Sequence, residues 1–208
     1  MSTQSIDSNG YGYSYQQLLK ARQEAEAAEK AQAQLSGSTS YSSGTSMSQV
    51  REYVESLLAN IPKSNGNKLT FQDVYDYRDS HKKEWSERFE EDMQKLGVDT
   101  SIEIKLSLNG AKGTVTAQNG HPDKAVIDKY FVDNPEMAEK FEEGVQLSKL
   151  TGLTERKLTS SELRQQLSLT SMSIWFESNT SASSLFSGGG MVLGQEGVSA
   201  YTGLNLTV

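Results

Sequence analysis

Cysteine is absent from this chain of 208 residues. That excludes disulfides, thiolate nucleophiles and cysteine-built zinc sites. Proline occurs three times, so each one reads as a boundary signal. No apolar run approaches the roughly 20 residues of a membrane-crossing helix. Lys20 and Arg22 are followed by no apolar stretch, so no Sec-type signal peptide is expected. The compartment stays open between the cytoplasm and export by another route. Basic runs are missing as well: Lys82-Lys83 and Arg156-Lys157 are the longest, in a chain of formal net charge −7. Nonspecific binding to nucleic acid or anionic membrane wants the opposite balance. There is no Gly-Lys-Ser/Thr phosphate loop and no dinucleotide glycine frame. No catalytic, cofactor-binding or metal-ligating residue is assigned, and no cofactor is expected.

Hydrophobic residues make up 35% of the chain, or about 43% with its 17 glycines, slightly under the roughly 45–50% usual for globular domains. The deficit lies at the ends. Residues 1–48 are mostly Ser, Gln, Ala, Gly and Tyr. Within them, good helix formers run from Tyr15 to Leu35. Leu18, Leu19 and Leu35 are the only large aliphatics there, so a helix near 15–35 is solvated. Ser36 to Ser48 has the composition of a flexible linker. Residues 49–178 carry the patterned core. Residues 179–208 form a Gly/Ser-rich apolar tail whose only charge is Glu196.

The core opens with Val50, Tyr53, Val54, Leu57, Leu58 and Ile61, spaced to share one helix face. Thr70 with Asp73 reads as a capping box, and a stripe of Phe71, Val74, Trp85, Phe89, Met93 and Leu96 runs to Gly97. Ile102 to Leu108 alternates strictly, and Asn109-Gly110 follows, then Thr114-Val115-Thr116. The pattern predicts a hairpin with a two-residue type I′ turn at Asn109-Gly110. His121-Pro122-Asp123 predicts a helix start with Val126, Ile127, Tyr130 and Phe131 inward; Asn134-Pro135-Glu136 predicts another, with Met137, Phe141, Val145 and Leu150 inward. Thr159 with Glu162 predicts the cap of a last helix bearing Leu163, Leu167, Ile174 and Trp175. The expected fold class is α+β: a mainly helical core with one β-hairpin, flanked by weakly ordered Ser/Gly-rich ends.

Three readings of function follow. The first is a non-enzymatic interaction or structural protein that meets a protein partner, or itself, through its ends. Met191, Val192 and Leu193, with the alternating Leu204, Leu206 and Val208, are its candidate interaction residues, because apolar extended segments need a neighbour. The second is a small ligand-binding domain or enzyme assembled around His81, His121 and Asp123. A lone His on an apolar stripe is more simply a packed residue, and Asp123 is explained by the helix dipole. The third is a degenerate calcium-binding helix-loop-helix at 62–73. It lacks the acid that a calcium loop needs first, where Pro62 stands, and the glycine at its sixth position, where Asn67 stands. The cysteine-free, aromatic-poor chain with Ser, Thr, Gln and Asn at its start also resembles bacterial proteins exported without a cleaved signal, such as flagellar axial proteins or type III substrates. That resemblance implies export and assembly.

Overall fold

The computed structural model describes residues 47–63, 68–110, 112–194 and 197–202. The expected helix near 15–35, residues 64–67 of the proposed calcium loop, and Leu204, Leu206 and Val208 lie outside the described residues. Seven helices and two antiparallel sheets among the described residues make the fold α+β. No helix among them is long and apolar enough to cross a membrane.

The helices are α1 (Met47–Ala59), α2 (Phe71–Lys95), α3 (Lys124–Asp133), α4 (Pro135–Lys157), α5 (Ser160–Leu163), α6 (Leu169–Asn179) and α7 (Ala182–Phe186). The strands are β1 (Lys68–Leu69), β2 (Ile104–Asn109), β3 (Thr114–Ala117), β4 (Leu167–Ser168), β5 (Gly189–Gly194) and β6 (Gly197–Thr202). β1 pairs with β4, and the larger sheet has the order β3-β2-β5-β6.

Local signals account for the long helices. Thr70 Oγ1 accepts from the Asp73 N–H while the Asp73 carboxylate accepts from the Thr70 N–H, satisfying two donors that α2 leaves free. Gly97 ends the run with a φ of 77°, the left-handed step that glycine takes at low cost. Pro135 opens α4, where its missing N–H costs nothing. These two helices run antiparallel and join two apolar clusters. Trp85, Phe89 and Met93 of α2 with Met137, Phe141 and Val145 of α4 pack beneath the larger sheet. Phe71 and Val74 with Leu147 and Leu150 pack against α1, α6 and α7.

Several expectations are corrected. The hairpin forms, but its turn lies two residues further on. Leu108 faces Val115 and Asn109 faces Thr114, leaving a four-residue loop, 110–113. Asn109 O accepts from Lys112 N–H and Gly113 N–H, and Gly113 takes the positive φ, 62°. Gly110 is a glycine for another reason: a Cβ there would strike the Phe186 carbonyl at the end of α7. β2 starts at Ile104, so Ile102 is exposed; Leu96, Val126 and Ile174 are exposed too. Pro122 precedes α3 rather than starting it. Thr159 caps only the short α5, because Leu167–Ser168 pairs with Lys68–Leu69 and divides the expected last helix. Ser168 then caps α6, which turns Met172, Ser173 and Phe176 inward.

The largest correction concerns the C-terminal region. The expectation of a weakly ordered tail does not hold for Gly189–Thr202. β5 lies in the middle of the larger sheet, pairing with β2 on one side and β6 on the other. Met191 is fully buried in the core, and Leu193 packs against it. The glycine run is what permits this. A Cβ at Gly188 would come 2.7 Å from Leu108 O, and one at Gly189 would come 2.7 Å from Val145 Cγ1. Gly190 is covered by the Tyr201 ring, whose hydroxyl donates to Leu106 O at 2.9 Å and bonds with Ser107 Oγ at 3.0 Å.

Candidate functional site

The histidines and Asp123 of the second reading are not brought together. His81 lies in mid-α2, where Nε2 donates to Lys140 O of α4 at 2.8 Å. It belongs to a polar seam between the two helices. Tyr75 OH donates to Thr151 O, Arg78 to Thr151 Oγ1, Tyr77 OH to Glu143 Oε1, and Trp85 Nε1 to Met137 O. His121 sits beyond the other end of α2, which continues fourteen residues past His81, about 21 Å at 1.5 Å per residue. His121 Nδ1 accepts from the Asp123 N–H, and the Asp123 carboxylate accepts from the Asp99 N–H. His121 Nε2 is buried without a hydrogen-bond partner among the described residues.

A cavity of about 350 Å³ beside His81 is lined by Pro62, Asp73, Asp76, Tyr77 and Glu84. Its most useful groups are already engaged: Asp73 by Thr70, Tyr77 by Glu143, His81 by Lys140. Burial, together with the neighbouring Glu143, pushes the Tyr77 hydroxyl up to about 12, so it stays protonated. Among the described residues no group of three His, Asp or Glu side chains is placed to hold a metal ion.

Lys149 is another perturbed group. Its ammonium donates to Leu185 O at 2.8 Å and to Ser187 O, tying the end of α7 to α4 just before β5. Burial lowers it to about 8, and Glu142 partly opposes the shift. Sequence reasoning missed this residue. It is one lysine among many on helical faces, and only the distant carbonyls give it a role.

The two edges of the larger sheet differ sharply. At β3, the pairing of Gln118 N–H with Lys105 O aims residues 114, 116 and 118 at β2. Alternation therefore aims Val115 and Ala117 at the free side. Helix α3 occupies that side: the Ala117 N–H donates to Asp128 Oδ1 at 2.8 Å, and Lys124 Nζ donates to Ala117 O. That edge is closed. At β6 the same alternation, carried across the sheet, aims the backbone of Val198, Ala200 and Thr202 outward. Beyond the β5–β6 ladder, no backbone hydrogen bond of β6 joins it to another described residue. Its sequence, Gly-Val-Ser-Ala-Tyr-Thr, holds no charge and no proline, the devices that commonly blunt an edge.

Of the candidate interaction residues, Met191 and Leu193 thus serve the core, and Val192 is half-buried on the sheet face away from the helices. Comparison with family models, with curated proteins and with solved structures finds no match.

Proposed function

We propose that this chain is a non-enzymatic interaction protein that captures an extended protein segment along the free edge of β6. The observation that carries the reading is the contrast between the edges: α3 closes β3 with Asp128 and Lys124, whereas β6 offers a row of backbone donors and acceptors. A strand laid there pairs those groups, and its alternate side chains add to the apolar surface continued from Val198 and Ala200. The catalytic alternative has less support, because the polar groups beside the cavity near His81 are spent on joining α2 to α4.

The test is a selection of random peptides on the full chain, with Ala200→Pro as control. Proline at an outward-facing edge position removes one donor without touching the ladder to β5. The expected outcome is a set of peptides with alternating apolar residues that bind the full chain and lose binding to A200P, while A200P unfolds cooperatively. Peptides that bind both proteins equally would sink the reading, as would a selection that yields none.

A further inference from the structure

We infer that the extended segment captured along β6 carries an acidic side chain on the helix-facing side of the strand, and that Lys82 of α2 binds it. This rests on the strand-capture reading above and names the partner's chemistry.

The argument starts from what flanks the edge. Helices α2 and α4 both approach β6, and Val198 and Ala200 pack on the cluster that holds Trp85 and Phe89 of α2. Lys82 precedes those two by three and seven residues, so it lies on the same face of the helix. Its height along the strand follows from Met191. The Met191 Cε and the His81 ring both lie where a Cβ on Gly144 of α4 would meet them, and Met191 faces Ala200 across the β5–β6 ladder. Lys82 follows His81, about 100° further round α2, on the side of Trp85 and Phe89. These relations put Lys82 beside Ala200, on the helix-facing side of the edge strand.

Lys82 is a half-buried cation without an anion. No ion pair or hydrogen bond joins its ammonium to another described residue. Of the residues one helical turn away, Arg78 is a like charge and Trp85 and Ser86 carry none; the acid, Asp79, is bonded to Arg78 at 2.8 Å. Burial, reinforced by Arg78 and opposed by Asp79, lowers the Lys82 ammonium below its ordinary value. A half-buried charge left unpaired is costly, and an incoming carboxylate offsets that cost. Arg78 is not free to compete for it, since its guanidinium is held by Asp79 and Thr151 over the Tyr75 ring.

A strand added to β6 lies about 4.8 Å beyond it. Residues opposite each other share a face of the sheet, so the residue facing Ala200 turns its side chain toward α2. A carboxylate there, or two residues along toward Thr202, comes within reach of the long lysine stem. The residue facing Val198 meets different surroundings. Val198 pairs with Leu193, and Leu193, Phe89 and Ile104 help to line a cavity of about 300 Å³. The fitting segment therefore has an acid and an apolar residue two or four positions apart. The chain as a whole stands at −7, so one local pairing, and not general attraction, must select the acid.

The random-peptide selection reads the answer when run in parallel on the full chain, Lys82→Gln and Lys82→Glu. Peptides that bind the full chain should carry Asp or Glu at one position of the alternating set, with no general enrichment in acid. They should bind Lys82→Gln about tenfold more weakly, the size of one charge-assisted hydrogen bond, while Lys82→Arg should keep them. Lys82→Glu should select Lys or Arg at the same position. Lys82→Gln should show at least the parent's urea midpoint, which separates lost binding from lost folding. Peptides without an acidic preference that bind Lys82→Gln as tightly as the parent would overturn this inference and leave strand capture standing. So would a Lys82→Glu selection that still returns acidic peptides. Peptides indifferent to A200P, or an empty selection, would overturn both readings.

Discussion

Met191 gives the sharpest test of whether the C-terminal region belongs to the core. It is fully buried beneath the sheet, and its Cε occupies the space above Gly144 of α4, 2.6 Å from where a Cβ would stand. Replacing it by Ala removes the buried side chain and leaves a cavity, at a cost of about 2–5 kcal/mol. For a chain of this size that lowers the melting temperature by roughly 4–20 °C. Gly144→Ala should be the mirror experiment. Its methyl must displace the Met191 Cε, costing about 1–3 kcal/mol, set against the ~1 kcal/mol that alanine gains over glycine inside a helix. In the Met191→Ala background the same methyl enters vacated space, so its cost should vanish or reverse. The double-mutant cycle cancels helix propensity and isolates the contact, with an expected coupling of about 0.5–3 kcal/mol. Urea unfolding followed by tryptophan fluorescence measures all four proteins. Trp175→Phe supplied as a common background leaves Trp85, which lies in the same cluster as Met191. A Met191→Ala protein within about 0.5 kcal/mol of the parent would refute the burial argument, and strict additivity would refute the packing of Met191 on Gly144.

Trp85→Ala should cost about 3–5 kcal/mol, because the indole is 2% exposed and stacks on Phe89 at 5.0 Å; an unchanged urea midpoint would contradict this. Gly110→Ala should destabilise more than Gly113→Ala, since the first drives a methyl into the Phe186 carbonyl backbone and the second only strains a φ of 62°; thermal melts of the two rank them. Tyr77 remains protonated in the fold up to about 12, above its ordinary value of 10. Its contribution is therefore fully present below pH 10 and lost as pH rises through 12. Tyr77→Phe should lose less stability than the parent between pH 10 and 12, and parallel pH profiles would count against the assignment.

Much of the helical framework was legible in the sequence. The Thr70–Asp73 and Thr159–Glu162 boxes and Gly97 as a left-handed stop emerge as read, and so do the stripe from Phe71 and the alternation up to Leu108 except at their outer ends, where Leu96 and Ile102 are exposed. Each is settled between residues a few positions apart, where the backbone's own hydrogen bonds and a repeating side-chain direction leave little choice. The candidate site was not legible in the same way. Nothing near Val198 or Ala200 distinguishes an edge strand from an interior one; that depends on which strands pair.

Tertiary structure decided the rest. Gly110 looked like a turn residue because Asn-Gly favours positive φ, yet it yields to the Phe186 carbonyl. Gly188 to Gly190 belong to the Gly/Ser-rich end expected to be weakly ordered, yet they make room for the Leu108 carbonyl, the Val145 side chain and the Tyr201 ring in turn. Leu163, Leu167, Ile174 and Trp175 read as one helix after the Thr159 cap until Leu167–Ser168 found Lys68–Leu69. The two edges differ because the Ala117 backbone of β3 bonds to Asp128 and Lys124 of α3, whereas beyond its ladder with β5 no backbone hydrogen bond joins β6 to another described residue. These outcomes share one cause: a sheet joins residues far apart in the chain, so its order and its steric demands follow from global packing, whereas a helix cap needs only its neighbours four residues away.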